Sequence, residues 1–284
     1  MRCSSNMPDP VRVIAVTSGK GGVGKTNVSV NLSAALAAAG ERVLLMDADL
    51  GLANVDVLLG LSPEFDLQHV INGEKSLDDV VIPGPAGFQL IPASSGVEHM
   101  AELTALQQAS LITAFSELKT PIDTLIVDTA AGISGSVVSF AKACQEVIVV
   151  VCDEPTSLTD AYALIKVMST RHGVSRFQML ANMVKDENQG LLLYDKLLNT
   201  CDRFLNVGLG YLGAMPFDDQ LRAAVKAQQP VVSAYPRSRA AKAMGRIAEK
   251  VKAWPEPEHG TGQLQFFVER LFDQAGGAAA AAKT

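Results

Sequence analysis

No two cysteines of this chain form a C-x-x-C pair. The four (Cys3, Cys144, Cys152 and Cys201) are as scattered as its four histidines, so a zinc or iron–sulfur site held within one chain is not expected. Positive charge is also short. Twenty-four Lys and Arg against 30 Asp and Glu leave a formal charge of −6, which argues against a surface shaped chiefly to neutralise nucleic-acid phosphates. Met1 to Pro10 lacks the cationic start and apolar core of a signal peptide. No apolar run approaches the roughly 20 residues of a spanning helix. These absences lead to the expectation of a cytoplasmic protein with reduced thiols. There is also no internal repeat, and no linker rich in Pro, Gly or Ser that would divide the core.

What is present is a chain of 284 residues, 48% apolar, ample for a packed interior. Short β-branched runs recur at Val11 to Thr17, Arg42 to Asp47, Thr124 to Asp128, Glu146 to Cys152, Phe177 to Ala181 and Val207 to Tyr211. Such runs suit strands covered on both faces, and the stretches between them are long enough for right-handed helical crossovers. The pattern predicts an α/β fold, a doubly wound and mostly parallel sheet flanked by helices. Two helices are legible, Asn27 to Ala39 ending at Gly40, and Leu158 to Thr170.

Between the first strand and the first helix lies Gly19-Lys-Gly-Gly-Val-Gly-Lys-Thr26. Gly19, Gly21, Gly22 and Gly24 allow consecutive backbone N–H groups, Val23 included, to close around phosphate oxygens. Lys25 reaches the β and γ phosphates and Thr26 offers a hydroxyl to Mg²⁺. The helix that starts here, with Asn27 in its first turn, points its positive end at the anion. ATP and Mg²⁺ are the expected cofactors. Two strands end in acids placed where open α/β sheets bind ligands: Leu44-Leu-Met-Asp47-Ala-Asp49 and Thr124-Leu-Ile-Val-Asp128. Thr26, Asp47 and Asp128 form the expected metal set, the two acids through bound water. No general-base histidine is needed, because phosphoryl transfer relies on positioning and charge neutralisation.

Lys20 is not required by an ordinary phosphate cradle. K-G-G-V-G-K-T resembles the deviant Walker A motif of the MinD/ParA family, in which this lysine reaches the partner's nucleotide in a dimer. The resemblance implies a P-loop fold, ATP-driven homodimerisation and slow ATP hydrolysis to ADP and phosphate. It also gives catalytic roles to Lys20, Lys25 and Asp49, the last orienting the attacking water. Asn182 resembles the adenine-contacting asparagine of that family, expected just after its strand. The loop Gly213-Ala-Met-Pro216-Phe-Asp218 resembles the segment that closes over the base, though both also suit plain turns. Glu154, in Cys152-Asp-Glu-Pro-Thr-Ser-Leu-Thr-Asp160, is a weaker match to a residue that contacts the nucleotide across the dimer. Gly132 is expected to approach the γ phosphate.

Asp47-Ala-Asp-Leu-Gly-Leu-Ala-Asn-Val-Asp56, Cys152 to Lys166 and Phe266-Phe-Val-Glu-Arg-Leu271 narrow the likeness, over about residues 11 to 273, to the flagellar-number regulator (FleN/FlhG) subgroup. Membership would imply an antiactivator that restrains flagellar gene expression by binding an enhancer-binding AAA+ transcriptional activator. The start of the chain lacks the D-Q-A-x-x-L-R motif that stimulates a signal-recognition-type GTPase, which puts that activity in doubt. The alternative is a ParA- or MinD-like ATPase that positions DNA or the division machinery.

The expected organisation is a disordered segment at 1–10, a P-loop ATPase domain at 11–254, an amphipathic helix at 263–273 and a disordered tail at 274–284. In that helix Leu264, Phe267, Val268 and Leu271 share one face. The stripe suits either reversible contact with the inner membrane surface, which the resemblance favours, or docking on the protein's own surface. Only Arg270 is basic there, which weakens attraction to anionic lipid. A second basic stretch, Arg237, Arg239, Lys242, Arg246, Lys250 and Lys252, is interleaved with Ala, Met and Ile. It reads as a solvated helix face, and direct DNA binding is not expected.

Overall fold

The computed structural model describes residues 10–49, 54–93, 104–255 and 264–272. Apart from Pro10, the segments expected to be disordered lie outside these residues, as does Cys3. Eight strands form one sheet: β1 (Arg12–Ser18), β2 (Val43–Ala48), β3 (Ile82–Pro83), β4 (Gln89–Ile91), β5 (Thr124–Ala131), β6 (Glu146–Cys152), β7 (Arg176–Val184) and β8 (Gly208–Pro216). Their order is β3-β4-β2-β5-β1-β6-β7-β8. Every neighbouring pair is parallel except β3 with β4. The doubly wound sheet expected from the β-branched runs is therefore present, with two short strands added at one edge.

Alternation along the central strands divides the interior into two layers. Val13 and Ala15 of β1 point to one face, and Ile14 and Val16 to the other; Val147, Val149 and Val151 of β6 alternate with Ile148, Val150 and Cys152 in the same way. Both faces are buried because helices cover both, as a parallel sheet requires. One face carries α1 (Lys25–Ala38) and α11 (Arg239–Lys252). The other carries α5 (Ala105–Ser116), α6 (Gly135–Ala143), α7 (Pro155–His172), α8 (Glu187–Phe204) and α12 (Leu264–Phe272). Gly40, at φ 90°, ends the first helix in the left-handed turn expected of it.

Three strands run three or more residues beyond their expected ends, and this changes where site residues sit. β5 continues past Asp128 to Ala131, so the strand itself carries the chain toward Gly132. Asn182 lies inside β7, opposite Cys152 of β6, rather than in the loop after it. Pro216 is the last residue of β8, opposite Val184, and not part of a loop. The cause is pairing: each strand continues while its neighbour offers backbone partners, whatever the propensity of its last residues.

Apart from Arg237, which precedes it, the basic stretch falls on α11 as expected. Ala240, Ala243, Met244, Ile247 and Val251 are buried, while the basic side chains face outward. Three are tethered: Arg239, Lys250 and Lys252 donate to the carbonyls of Lys185, Leu212 and Ala39. In α12, Phe267, Val268 and Leu271 are buried against α5 and α6, and the Phe267 ring meets Phe115 edge-on at 6.3 Å. These three residues of the apolar stripe are covered by the protein's own surface in this conformation. Among the described residues no helix is long and apolar enough to cross a membrane.

Candidate nucleotide site

The phosphate loop follows β1, the strand flanked by β5 and β6, at the point where the sheet's winding direction reverses. Two glycines show why the loop takes no side chain. A Cβ on Gly19 would lie 2.2 Å from the Asp160 backbone, because α7 crosses directly behind it. Gly24 caps α1 in the left-handed conformation, and a Cβ there would meet the Asn182 amide at 2.5 Å.

The loop lines a cavity of about 780 Å³ that also takes in Asp49, Asn54, Ala131 and Met183. A second cavity of about 350 Å³ adjoins it through Gly24, Asn27 and Met183, and is walled by Asn182, Pro216, Phe217 and Asp218. Together they form one trough, with the phosphate loop at one end and an apolar slot at the other. Lys20, Gly21, Gly22, Val23, Lys25 and Thr26 all reach the first compartment. Asn182, Pro216 and Asp218 reach the second.

Beneath the loop lies a buried polar layer. The Lys25 ammonium donates to Asp128 Oδ1 at 2.9 Å, and the Ser29 hydroxyl donates to the same oxygen at 2.6 Å. Asp128 Oδ2 is buried with no partner among the described residues. A buried carboxylate oxygen with an unused lone pair fits a water of a magnesium ion's coordination shell, so the residues present suit that ion. Asp47 is also fully buried. Its Oδ1 accepts the Asp49 N–H, and its Oδ2 accepts those of Asn54 and Val55, each at 3.0 Å. Burial, with Asp128 close by, pushes its pKa up to about 7 despite those three hydrogen bonds. Asp47 thus anchors the segment leading to α2 (Val55–Leu59). Asp49 is half-buried and accepts from the Asn54 amide at 3.1 Å.

Sequence reasoning missed several participants. Ser29 sits one helical turn after Lys25, so i, i+4 spacing placed it on the same face. Asn54 had no local signal. Glu154 lines neither compartment: it accepts from Lys20 Nζ at 2.7 Å, and Thr156 accepts from the same ammonium at 3.0 Å. That hydrogen bond raises the pKa of Lys20 above the ordinary lysine value. Asn182 donates an amide N–H to the Val23 carbonyl at 2.7 Å, pinning the phosphate loop from the side of the apolar slot. Asp218 is occupied on both oxygens, by the backbone N–H groups of Gln220 and Ala240. It shapes the slot more than it offers a free acceptor.

The ParA family, described as an NUBPL iron-transfer P-loop NTPase, matches residues 10–252. The chain belongs to the ParA/MinD family of P-loop ATPases. It is 56% identical over 262 residues to the antiactivator FleN of Pseudomonas aeruginosa, covering 92% of this chain and 94% of that protein. The flagellum site-determining protein YlxH of Helicobacter pylori is 32% identical, over 84% of this chain and 80% of its own length. Among solved structures, the septum site-determining protein MinD of Pyrococcus horikoshii, complexed with Mg-ADP, superposes with a TM-score of 0.67 at 27% identity, covering 86% of this chain and 96% of that one. Like the family, this ParA/MinD ATPase uses ATP and Mg²⁺.

Proposed function

We propose that this chain is an ATP-dependent, dimerising switch that restrains flagellar gene expression by binding an enhancer-binding AAA+ transcriptional activator. The observation that carries the reading is its 56% identity, across 92% of its length, to a protein named as an antiactivator.

ATP with Mg²⁺, when bound, supplies the γ-phosphoryl group and the cation that neutralises it. The N–H groups of Gly21 to Thr26 and the Lys25 ammonium hold the phosphate oxygens. Thr26, Asp47 and Asp128 are the residues that would hold the magnesium ion. Asp49, fixed by Asn54, orients the attacking water. Asn182 holds the loop against the base slot, whose Phe217, 54% exposed, offers an apolar face to adenine.

Lys20 stands at the outer rim, where its side chain is 38% exposed. There it leaves Glu154 to reach a triphosphate held by a second copy. Val57 and Ile133 are 67% and 52% exposed, although one lines the phosphate compartment and the other follows Gly132. Apolar side chains so placed suit burial against a partner. The activator-binding surface would form across that dimer, and hydrolysis would dissolve it.

Reversible contact with the inner membrane surface is the further part of the reading. It requires α12 to leave α5 and α6. Exposing Phe267, Val268 and Leu271 would cost roughly 5 kcal/mol in water, which insertion of the same face in a bilayer interface would offset. The cytoplasm is the proposed compartment.

The test is a pull-down from cell extract with the chain loaded with a non-hydrolysable ATP analogue or with ADP. Recovery of a flagellar AAA+ activator with the triphosphate alone supports the reading; equal recovery with both, or none, opposes it. The alternative, a ParA- or MinD-like positioning ATPase, draws on the fold match to MinD. Salt-sensitive, ATP-dependent binding to random duplex DNA would favour it.

A further inference from the structure

At the opposite end of the sheet lies a third cavity, also of about 350 Å³, between the ends of α6 and α7, the starts of β6 and β7, and α12. Glu146 and Arg176 begin those strands, whose other ends support the nucleotide trough. Strands of this length place the two sites roughly 20 Å apart. The lining carries Lys142, His172, Arg176 and Arg270 and no carboxylate, although the chain as a whole carries −6. Lys142 and Arg270 are half-buried, and neither has a hydrogen bond or ion pair among the described residues. Arg176 pairs with Glu146 at 3.3 Å but keeps 73% of its side chain exposed.

Charge complementarity to helix ends explains part of this. Lys142 and His172 lie in the last turns of α6 and α7, where cations face the negative end of the helix dipole. It does not explain Arg176, at the start of a strand, or Arg270, on a separate helix. Arg270 flanks the buried face of α12, so the docking that buries Phe267, Val268 and Leu271 also brings it here. A half-buried guanidinium without a counter-ion leaves its fork of donors unmatched.

We propose that this cavity is a binding site for a small phosphate-bearing anion, held by Lys142, Arg176 and Arg270. Because Arg270 belongs to α12, such a ligand stabilises the docked position of that helix. Anything binding only the docked form shifts the equilibrium toward it by its own binding free energy. The site is therefore an effector position remote from the ATP trough, coupled to whether the C-terminal helix is held or released.

The experiment uses the full chain saturated with Mg-ADP, so that the phosphate loop is filled. It is titrated with glycerol 3-phosphate while the methyl resonances of Val147 and Val174, both lining the cavity, are followed by NMR. The expected result is a saturable shift and slower amide exchange in α12. Arg270→Gln and Lys142→Ala each weaken the apparent affinity about tenfold, as loss of one charge-assisted contact should. Arg171→Ala, which removes a nearby cation outside the lining, leaves it unchanged, and ATPase activity is unaffected throughout. Equal affinity in wild type and Arg270→Gln would overturn the proposal. So would unaltered α12 exchange at saturation. A parallel arm uses vesicles containing phosphatidylglycerol; Arg270-dependent binding confined to vesicles would identify a lipid surface and refute a soluble ligand.

Discussion

Two lysines five positions apart on one loop sit in opposite environments. Lys25 is buried, its side chain 8% exposed, and pairs at 2.9 Å with a fully buried Asp128. Lys20 pairs at 2.7 Å with Glu154, but the two side chains are 38% and 58% exposed. The distances are alike and the energetics are not. Breaking a buried pair strands a charge away from water, whereas an exposed pair exchanges one set of hydrogen bonds for another at little cost. The inner lysine is thus fixed in the molecule, and the outer one is free to change partners. A loop built this way can bind nucleotide with one hand and sense a second chain with the other.

The sharpest break of that contrast is Lys25→Ala. It should abolish nucleotide binding and lower unfolding stability by about 3 kcal/mol, through the buried Asp128 left with Ser29 alone; calorimetric nucleotide titration and denaturant melts measure the two effects. Asp49→Ala should bind nucleotide and still dimerise but release phosphate at a small fraction of the normal rate. Near-normal release in a phosphate assay would remove Asp49 from the catalytic role.

A smaller effect follows from Asp47. The fold raises its pKa to about 7, so the proton retained there supports folding at low pH and is lost as the pH rises through about 7. Thermal melts of nucleotide-free chain should therefore lose a component of stability between about pH 4 and 7. Asp47→Asn should flatten that slope. Least of all, Glu154→Gln should leave the melting midpoint where it is and make ATP-driven dimerisation easier, read as a lower chain concentration at half-assembly.

How much of this was readable in the sequence depends on how local each feature is. The phosphate loop is contiguous, and its glycines and lysines announced themselves. The strands of the sheet's middle did too, because burial on both faces writes runs such as Val147-Ile-Val-Val-Val151. The strands Ile82–Pro83 and Gln89–Ile91, added at one edge of the sheet, are too short for any period to show. The ends of β7 and β8 were missed because partners on neighbouring strands, not local preference, carry them on. The Lys20–Glu154 contact joins residues 134 positions apart, and nothing in either segment names the other. The stripe on α12 said that Phe267, Val268 and Leu271 need an apolar cover, but not that α5 and α6 provide it.

Light scattering of wild type and Lys20→Ala, each saturated with Mg²⁺ and a non-hydrolysable ATP analogue, tests the division of labour between the two lysines most directly. The account predicts that wild type runs as a dimer and that Lys20→Ala, with nucleotide bound and an unchanged melting profile, stays a monomer. A Lys20→Ala dimer of wild-type stability would contradict it.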